Sequence, residues 1–203
     1  MATPSNPLID DDLVDFLLYS VLDAESLCGL EGYRHHSKQT FDLYIDNVRR
    51  FSRHDLLPTY KPMDEEPPVF RDGRIHTHPS LPALYEQMID LGVLTATRPE
   101  SVGGQQMPLL IHTMASAYLM AANLSAYGYI GLTVGAGHLI EAFGSDEVKE
   151  RFLARMYEGE WTGTMALTEP QAGSSLGDIT TPATPTDDRP YLIKGSKIFI
   201  SGA

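Results

Sequence analysis

No position from 101 to 140 is Asp, Glu, Lys or Arg. A stretch that long without charge has to be buried, in a protein interior or in a bilayer. A membrane-spanning helix needs about 20 mostly apolar residues in one block. Here Gln105, Gln106, His112, Asn123, Ser125 and the glycines from Gly103 to Gly137 interrupt the apolar content. Buried helices of a globular protein are therefore the expectation, with no membrane partner. The spacing predicts two helices, 107–126 and 133–143, with Gly128 and Gly131 in the turn between them. Ala115, Ser116, Ala117, Ala121 and Ala122 would let neighbouring helices approach closely.

Helical periodicity extends to both sides of this stretch. Over 10–23, Leu13, Phe16, Leu17 and Val21 fall on one stripe behind Asp10, Asp11 and Asp12, which suit a helix N-terminus. Phe41, Tyr44, Ile45, Val48 and Phe51 repeat the pattern, with Arg49, Arg50 and Arg53 towards the C-terminal end. A third helix is expected from Ser80 to Gly92, with Pro82 in its first turn and Leu81, Leu84, Tyr85, Met88 and Leu91 facing inward. Pro58, Pro62, Pro67, Pro68 and Pro79 exclude a helix between the second and third. Residues 69–75 read either as a small hairpin around Asp72-Gly73 or as plain loop. Gly144 ends a helix and Ser145 caps the next, which runs through Val148, Phe152, Leu153 and Met156 to Gly159. The period then changes: 161–167 reads as a strand, and 191–193 and 197–201 are short β runs joined by a turn at Gly195-Ser196. The expected fold is mainly α, with a helical domain over 1–159 followed by the first strands of a β domain over 160–203. Those strands are too few to close a sheet.

Lys and Arg number 15 against 27 Asp and Glu, a net charge of −12, which disfavours a nucleic-acid partner. The single cysteine, Cys28, has no internal disulfide partner, and no Cys/His set has zinc spacing. The first residues lack the basic and apolar regions of a signal peptide, and the cytoplasm is the default location. His35 and His36 are adjacent, so their side chains point apart and read as surface residues. His76 and His78 could share a face of an extended segment, without a third ligand. His112 and His138 read as hydrogen-bonded core histidines. Asp10-Asp11-Asp12 lacks the downstream Gly and Glu of a calcium loop.

The densest local signal is LTEPQAGSS at 167–175. Pro170 forbids continuation of the preceding strand, and Ala172, Gly173, Ser174 and Ser175 follow as a loop of small residues. Such a loop is either a plain turn or a place where backbone N–H groups and hydroxyls meet a phosphate or a polar heterocycle. The stretch resembles the Thr-Glu-Pro-Gly-Ala-Gly-Ser signature of the acyl-CoA dehydrogenase family. Three more segments resemble that family in order and spacing: 91–104, with Arg98-Pro99-Glu100 and Gly103-Gly104; 143–153, starting Phe143-Gly144-Ser145; and 194–201, similar to its Gly-x-Lys-x-Trp-Ile-Thr strand. The likeness covers roughly 40–203, and the longer N-terminus and Pro-rich segment resemble the larger bacterial branch, which includes enzymes acting on methylmercaptopropionyl-CoA.

The resemblance implies an FAD-dependent oxidoreductase of fatty acid metabolism that removes hydrogen from the α and β carbons of an acyl-CoA. Its N-terminal helical domain would lead into an incomplete β-barrel. Cofactor contacts are implied at Met165, Leu167, Thr168, Gly173, Ser174, Phe199, Ile200 and Ser201, and substrate contacts at Ser174 and Met165. Leu167 and Thr168 would meet the pyrimidine edge of FAD, and Ser174 the diphosphate or the CoA. Phe199 stands where the family has Trp beside the ring, and Ser201 where Thr lies near flavin N5. Gln171 replaces a Gly, Ser175 an Asp, and Met165 a frequent aromatic. The resemblance places the catalytic carboxylate in a C-terminal helical domain, so no catalytic residue and no metal ligand is expected among these 203 residues, and turnover is not expected from them alone. Glu169 is read as structural. Tyr118, Tyr127 and Tyr129 either line an acyl pocket or pack the core. An electron-transfer flavoprotein or similar acceptor and a homo-oligomer are the implied partners. A non-catalytic partner module of a split flavoenzyme, or a monooxygenase of the same fold, is the alternative.

Overall fold

The computed structural model describes residues 9–187 and 191–202. The stretch read for a signal peptide falls mostly on residues 1–8, which lie outside the described residues, as does Ala203. The chain begins with α1 (Asp11–Asp15), capped by the Asp10 side chain, which accepts the Leu13 N–H at 3.2 Å. A π-type turn over Phe16–Val21 continues it. Its inward residues are Val14 and Leu18, whereas Leu13, Phe16 and Val21 of the expected stripe are exposed. The wider turn rotates the side chains off the 3.6-residue period from which that stripe was read.

Helix α2 (Lys38–Phe51) opens with a reciprocal capping box between Ser37 and Thr40, and buries Phe41, Tyr44, Ile45, Val48 and Phe51 as its periodicity requires. It also buries Arg49, whose guanidinium donates to Asp15 at 2.5 Å, Asp46 at 3.2 Å and the Tyr118 hydroxyl at 2.9 Å. Tyr118 in turn donates to Asp11 at 2.8 Å, and Arg53 pairs with Asp11 as well. The acidic start of α1 is thus the counter-charge for the basic end of α2. These partners hold the Asp11 carboxyl below the usual carboxylate range against the opposing effect of burial.

The proline-rich stretch does hold a helix, contrary to expectation. A 3-10 turn over Leu57–Thr59 leads into α3 (Tyr60–Glu65). Pro62 is tolerated because it sits in the first turn, where backbone N–H groups lack intrahelical acceptors anyway. Beyond it β1 (Val69–Arg71) and β2 (Arg74–His76) form the hairpin, with Asp72 (φ 53°) and Gly73 (φ 75°) both in the left-handed region that a two-residue turn demands. Helix α4 (Leu81–Asp90) follows, burying Leu81, Leu84 and Met88.

The uncharged stretch becomes one helical run, α5 (Leu109–Phe143), broken at Asn123, whose φ of −161° and ψ of 92° are not helical. The expected interruption at Gly128 and Gly131 lies eight residues or fewer downstream of the real one, and both glycines are helical. The buried Asn123 amide decides the position. Its Oδ1 accepts the Ala126 N–H at 3.1 Å and caps the second half. Its Nδ2 donates to Thr59 Oγ1 at 3.0 Å and to Met63 Sδ at 3.3 Å. By length and composition α5 could cross a membrane, and half of its most apolar window is buried inside the protein. Ile111, Ala115, Tyr118, Leu119, Ala122, Ala126 and Ile130 join the residues of α2 and α4 in one core. His112 lies buried there, bonded to the Tyr44 hydroxyl at 3.0 Å, and burial pushes its pKa down to about 4. His138 differs from the expectation: its buried Nε2 has no partner among the described residues.

Ser145 caps α6 (Asp146–Tyr157), which lies against the second half of α5. The Tyr157 hydroxyl donates to Glu141 at 2.5 Å, and Arg98 pairs with the same carboxylate at 2.9 Å. Two adjustments apply to the β part. Residues 161–167 are extended with only a single bridge, Met165 to Ser201, and 197–201 forms no strand. Phe199 is the reason, because its φ of 55° lies outside any β ladder. The 191–193 run, β4 (Tyr191–Ile193), pairs instead with β3 (Ala183–Pro185). Asn123→Ala removes the cap of the second half of α5 together with its tie to Thr59. It should lower unfolding stability by roughly 2 kcal/mol, measured by urea denaturation.

Candidate functional site

The loop at 167–175 is placed by a close approach of backbone to helix. Gly163 donates its N–H to Thr133 Oγ1 at 3.0 Å. A Cβ at Gly163 would stand 2.7 Å from the Ala136 Cβ and 2.8 Å from the Leu132 carbonyl oxygen, so only glycine lets the chain pass this close to α5. Two residues on, Met165 and Ser201 exchange both backbone hydrogen bonds, at 3.1 and 3.2 Å. The Ile198 N–H donates to the Thr168 carbonyl at 2.9 Å, and Lys197 Nζ to the Leu167 carbonyl at 3.0 Å.

Met165, Leu167, Thr168, Phe199, Ile200 and Ser201 are therefore brought together on two neighbouring segments. Met165, Leu167 and Ile200 are exposed, and Phe199 is 85% exposed, held out by its left-handed backbone. Among the described residues neither the Thr168 N–H nor its hydroxyl has a partner. The carbonyls of Leu167 and Thr168 are already taken, so this edge offers donors. Gly173 and Ser174 are exposed on the loop beyond, and no hydrogen bond joins them to Phe199 or Ser201 among the described residues. An apolar face beside free N–H and O–H donors suits a flat heterocycle with polar acceptors on one edge.

Glu169 holds this loop in shape. Its carboxylate is 3% exposed and accepts from Lys197 Nζ at 2.8 Å, the Thr180 N–H at 2.8 Å, the Thr181 N–H at 3.1 Å and Gln171 Nε2 at 2.7 Å. The Lys197 ammonium first, with the threonine donors, holds the carboxyl far below the usual carboxylate range. A carboxylate so committed closes the loop and is not poised to take a proton from a ligand. Lys197 and Gln171 are the residues the sequence reading left without a role. Lys197 was legible as the cation immediately before the apolar run 198–200, whereas Gln171 was visible only as a departure from the family pattern.

Beyond Ser201 and Gly202 a cavity of about 540 Å³ opens between α5 and the proline-rich segment. Leu124, Tyr129 and Leu132 of α5 line it. Tyr118 is fully buried and bonded to Arg49 and Asp11, and Tyr127 packs against the core, so of the three tyrosines only Tyr129 faces this cavity. The two histidine pairs are also accounted for. His35 is exposed, but His36 is half-buried with Nε2 at 3.0 Å from the Gln105 carbonyl oxygen, and His78 Nδ1 lies 2.7 Å from Ser80 Oγ.

This is a helical domain delivering an extended, donor-bearing loop beside an apolar cavity. The family model for the acyl-CoA dehydrogenase N-terminal domain matches residues 39–160, and the chain belongs to the acyl-CoA dehydrogenase family. It is 33% identical over 157 residues to the 3-methylmercaptopropionyl-CoA dehydrogenase of Ruegeria pomeroyi, covering 77% of this chain and 27% of that protein. It is also 33% identical over 193 residues to a butyryl-CoA dehydrogenase of Syntrophomonas wolfei, covering 93% of this chain and 32% of the relative. A solved acyl-CoA dehydrogenase from Bacillus anthracis, complexed with FAD, shares the fold with a TM-score of 0.65 at 24% identity, covering 82% of this chain and 27% of that one. The chain spans between a quarter and a third of the length of these relatives.

Glu169 titrates lower in the folded protein than in the unfolded chain, where a glutamate sits near about 4.3. Its contribution is therefore fully present above that value and fades as pH falls below it. In urea denaturation, the stability gap between the wild type and Glu169→Gln should stay level from about pH 7 to about pH 5 and shrink by about pH 3. A gap that widens on acidification would contradict the assignment.

Proposed function

We propose that this chain is the part of an FAD-dependent acyl-CoA dehydrogenase that binds one edge of the flavin and guides the acyl group of the substrate. Family membership supports the reaction class, and the juxtaposition of free Thr168 donors with the exposed Phe199 ring supports the assignment to these residues. Bound FAD supplies the acceptor for the hydride that leaves the β-carbon. The Thr168 N–H and hydroxyl would hold the polar edge of the flavin, with the Phe199 ring and the Ser201 hydroxyl beside it. Gly173 and Ser174 present backbone N–H and hydroxyl groups to a diphosphate or to CoA, while Glu169 and Lys197 keep that loop closed. Met165 and Ile200 extend the apolar surface towards ring and substrate. The acyl group enters the cavity next to Ser201 and Gly202, along the side lined by Leu124, Tyr129 and Leu132 of α5.

On this reading 160–203 is the start of the flavin-binding β domain, with 1–159 as the helical wall of the substrate site. An electron-transfer flavoprotein or a similar acceptor reoxidises the enzyme, and the assembled protein is a homo-oligomer. Glu169 is locked in the loop and is not the acid-base carboxylate, which on the family resemblance comes from elsewhere in the enzyme.

Mixing the complete flavin-loaded enzyme that contains this chain with a saturated acyl-CoA under anaerobic conditions should bleach the visible flavin band and yield one enoyl-CoA per flavin. Thr168→Val should weaken FAD affinity about tenfold through one lost hydrogen bond, read by equilibrium dialysis. A hydroxylated product that requires oxygen would identify a monooxygenase instead.

A further inference from the structure

The proline-rich segment adds something to the cavity that the reaction itself does not need. Its residues Asp64 and Glu66 stand at the wall opposite the apolar side chains of α5, and no Lys or Arg lines the cavity among the described residues. His78 is the one other titratable side chain with a nitrogen there. Its Nδ1 accepts the Ser80 N–H at 3.3 Å, so in that hydrogen-bonded form the ring proton sits on Nε2. Nε2 lies 3.9 Å from a carboxylate oxygen of Glu66, so its proton is turned towards a carboxylate the protein already provides. The wall is anchored where it stands: Asn123 of α5 is hydrogen-bonded to Thr59 and Met63 at the base of the segment, and Leu81 of α4 closes the far side.

We infer that this wall selects the acyl chain by charge, admitting short acyl groups with a neutral end and rejecting those that end in a carboxylate. The inference rests on the reading of the cavity as the acyl site. An apolar lining welcomes a methyl-terminated chain. A terminal carboxylate would give up water among apolar side chains and meet two like charges on this wall, with no Lys or Arg beside it among the described lining residues. The exposure of Asp64 and Glu66 to solvent screens the repulsion but does not cancel it, since the approaching charge lies inside the cavity.

Pentanoyl-CoA and glutaryl-CoA carry chains of similar length that differ in a methyl against a carboxylate end. The readout is the ratio of their kcat/KM values with the complete flavin-loaded enzyme that contains this chain, in the wild type and in Asp64→Asn/Glu66→Gln, with Glu66→Gln alone as a milder second variant. The wild type should favour pentanoyl-CoA by about tenfold or more at low salt, and the ratio should fall about fivefold in the double variant and on addition of salt. If pentanoyl-CoA is turned over but the ratio is near one, or is moved by neither variant, the charge selection is wrong while the acyl-CoA reading stands. If neither thioester, nor any other acyl-CoA, is dehydrogenated, the reading beneath it fails and the selection falls with it.

Discussion

One buried amide organises this protein. Helix α5 carries no charged residue from Leu109 to Ile140, yet Asn123 stops it and restarts it. The side chain does two jobs that a hydrophobic residue could not combine: Oδ1 caps the second half of the helix, and Nδ2 ties the break to Thr59 and Met63. Buried polar atoms must find partners or cost folding free energy, so the break and the proline-rich segment are mutually dependent. The second half of α5 then carries Leu124, Tyr129 and Leu132 to the cavity and Thr133 to the point where the loop-bearing chain departs.

A second polar cluster serves the other end of the domain. Arg49 is removed from water at the centre of α1, α2 and α5, and its neighbours Asp11, Asp15, Asp46 and Tyr118 leave none of its charge unanswered. A buried guanidinium is tolerated only with that many acceptors. The acidic run that opens α1 is thus more than a helix start. Glu169 repeats the same physics near the site, where one lysine, two threonines and a glutamine satisfy a carboxylate that would otherwise be costly to bury.

The legible parts of the fold were those set by local rules. Ser145 as a cap, Pro82 in the first turn of α4 and the inward face of α2 each follow from a few neighbouring residues, whereas the Asp72-Gly73 segment was left open between hairpin and loop. The misplacements came where long-range contacts overrule local preference. Glycines at 128 and 131 look like a turn, but a helix packed on one side tolerates them, while the partners that favour a break at Asn123 lie about sixty residues away in sequence. The α1 stripe slipped because a π-type turn changed the period, and the 197–201 strand failed because Phe199 takes a left-handed backbone.

The sequence by itself determined that the chain is mainly helical, that its uncharged stretch is the core element, and that the Thr168-Glu169-Pro170 run carries the family signature, because periodicity, capping and motif are written in adjacent residues. Tertiary structure alone decided that Glu169 pairs with Lys197, that Phe199 is held out into solvent, and that Asp64 and Glu66 share a cavity with Ser201. Those relations join positions from about thirty to more than a hundred residues apart. They exist only once packing has brought those distant segments together.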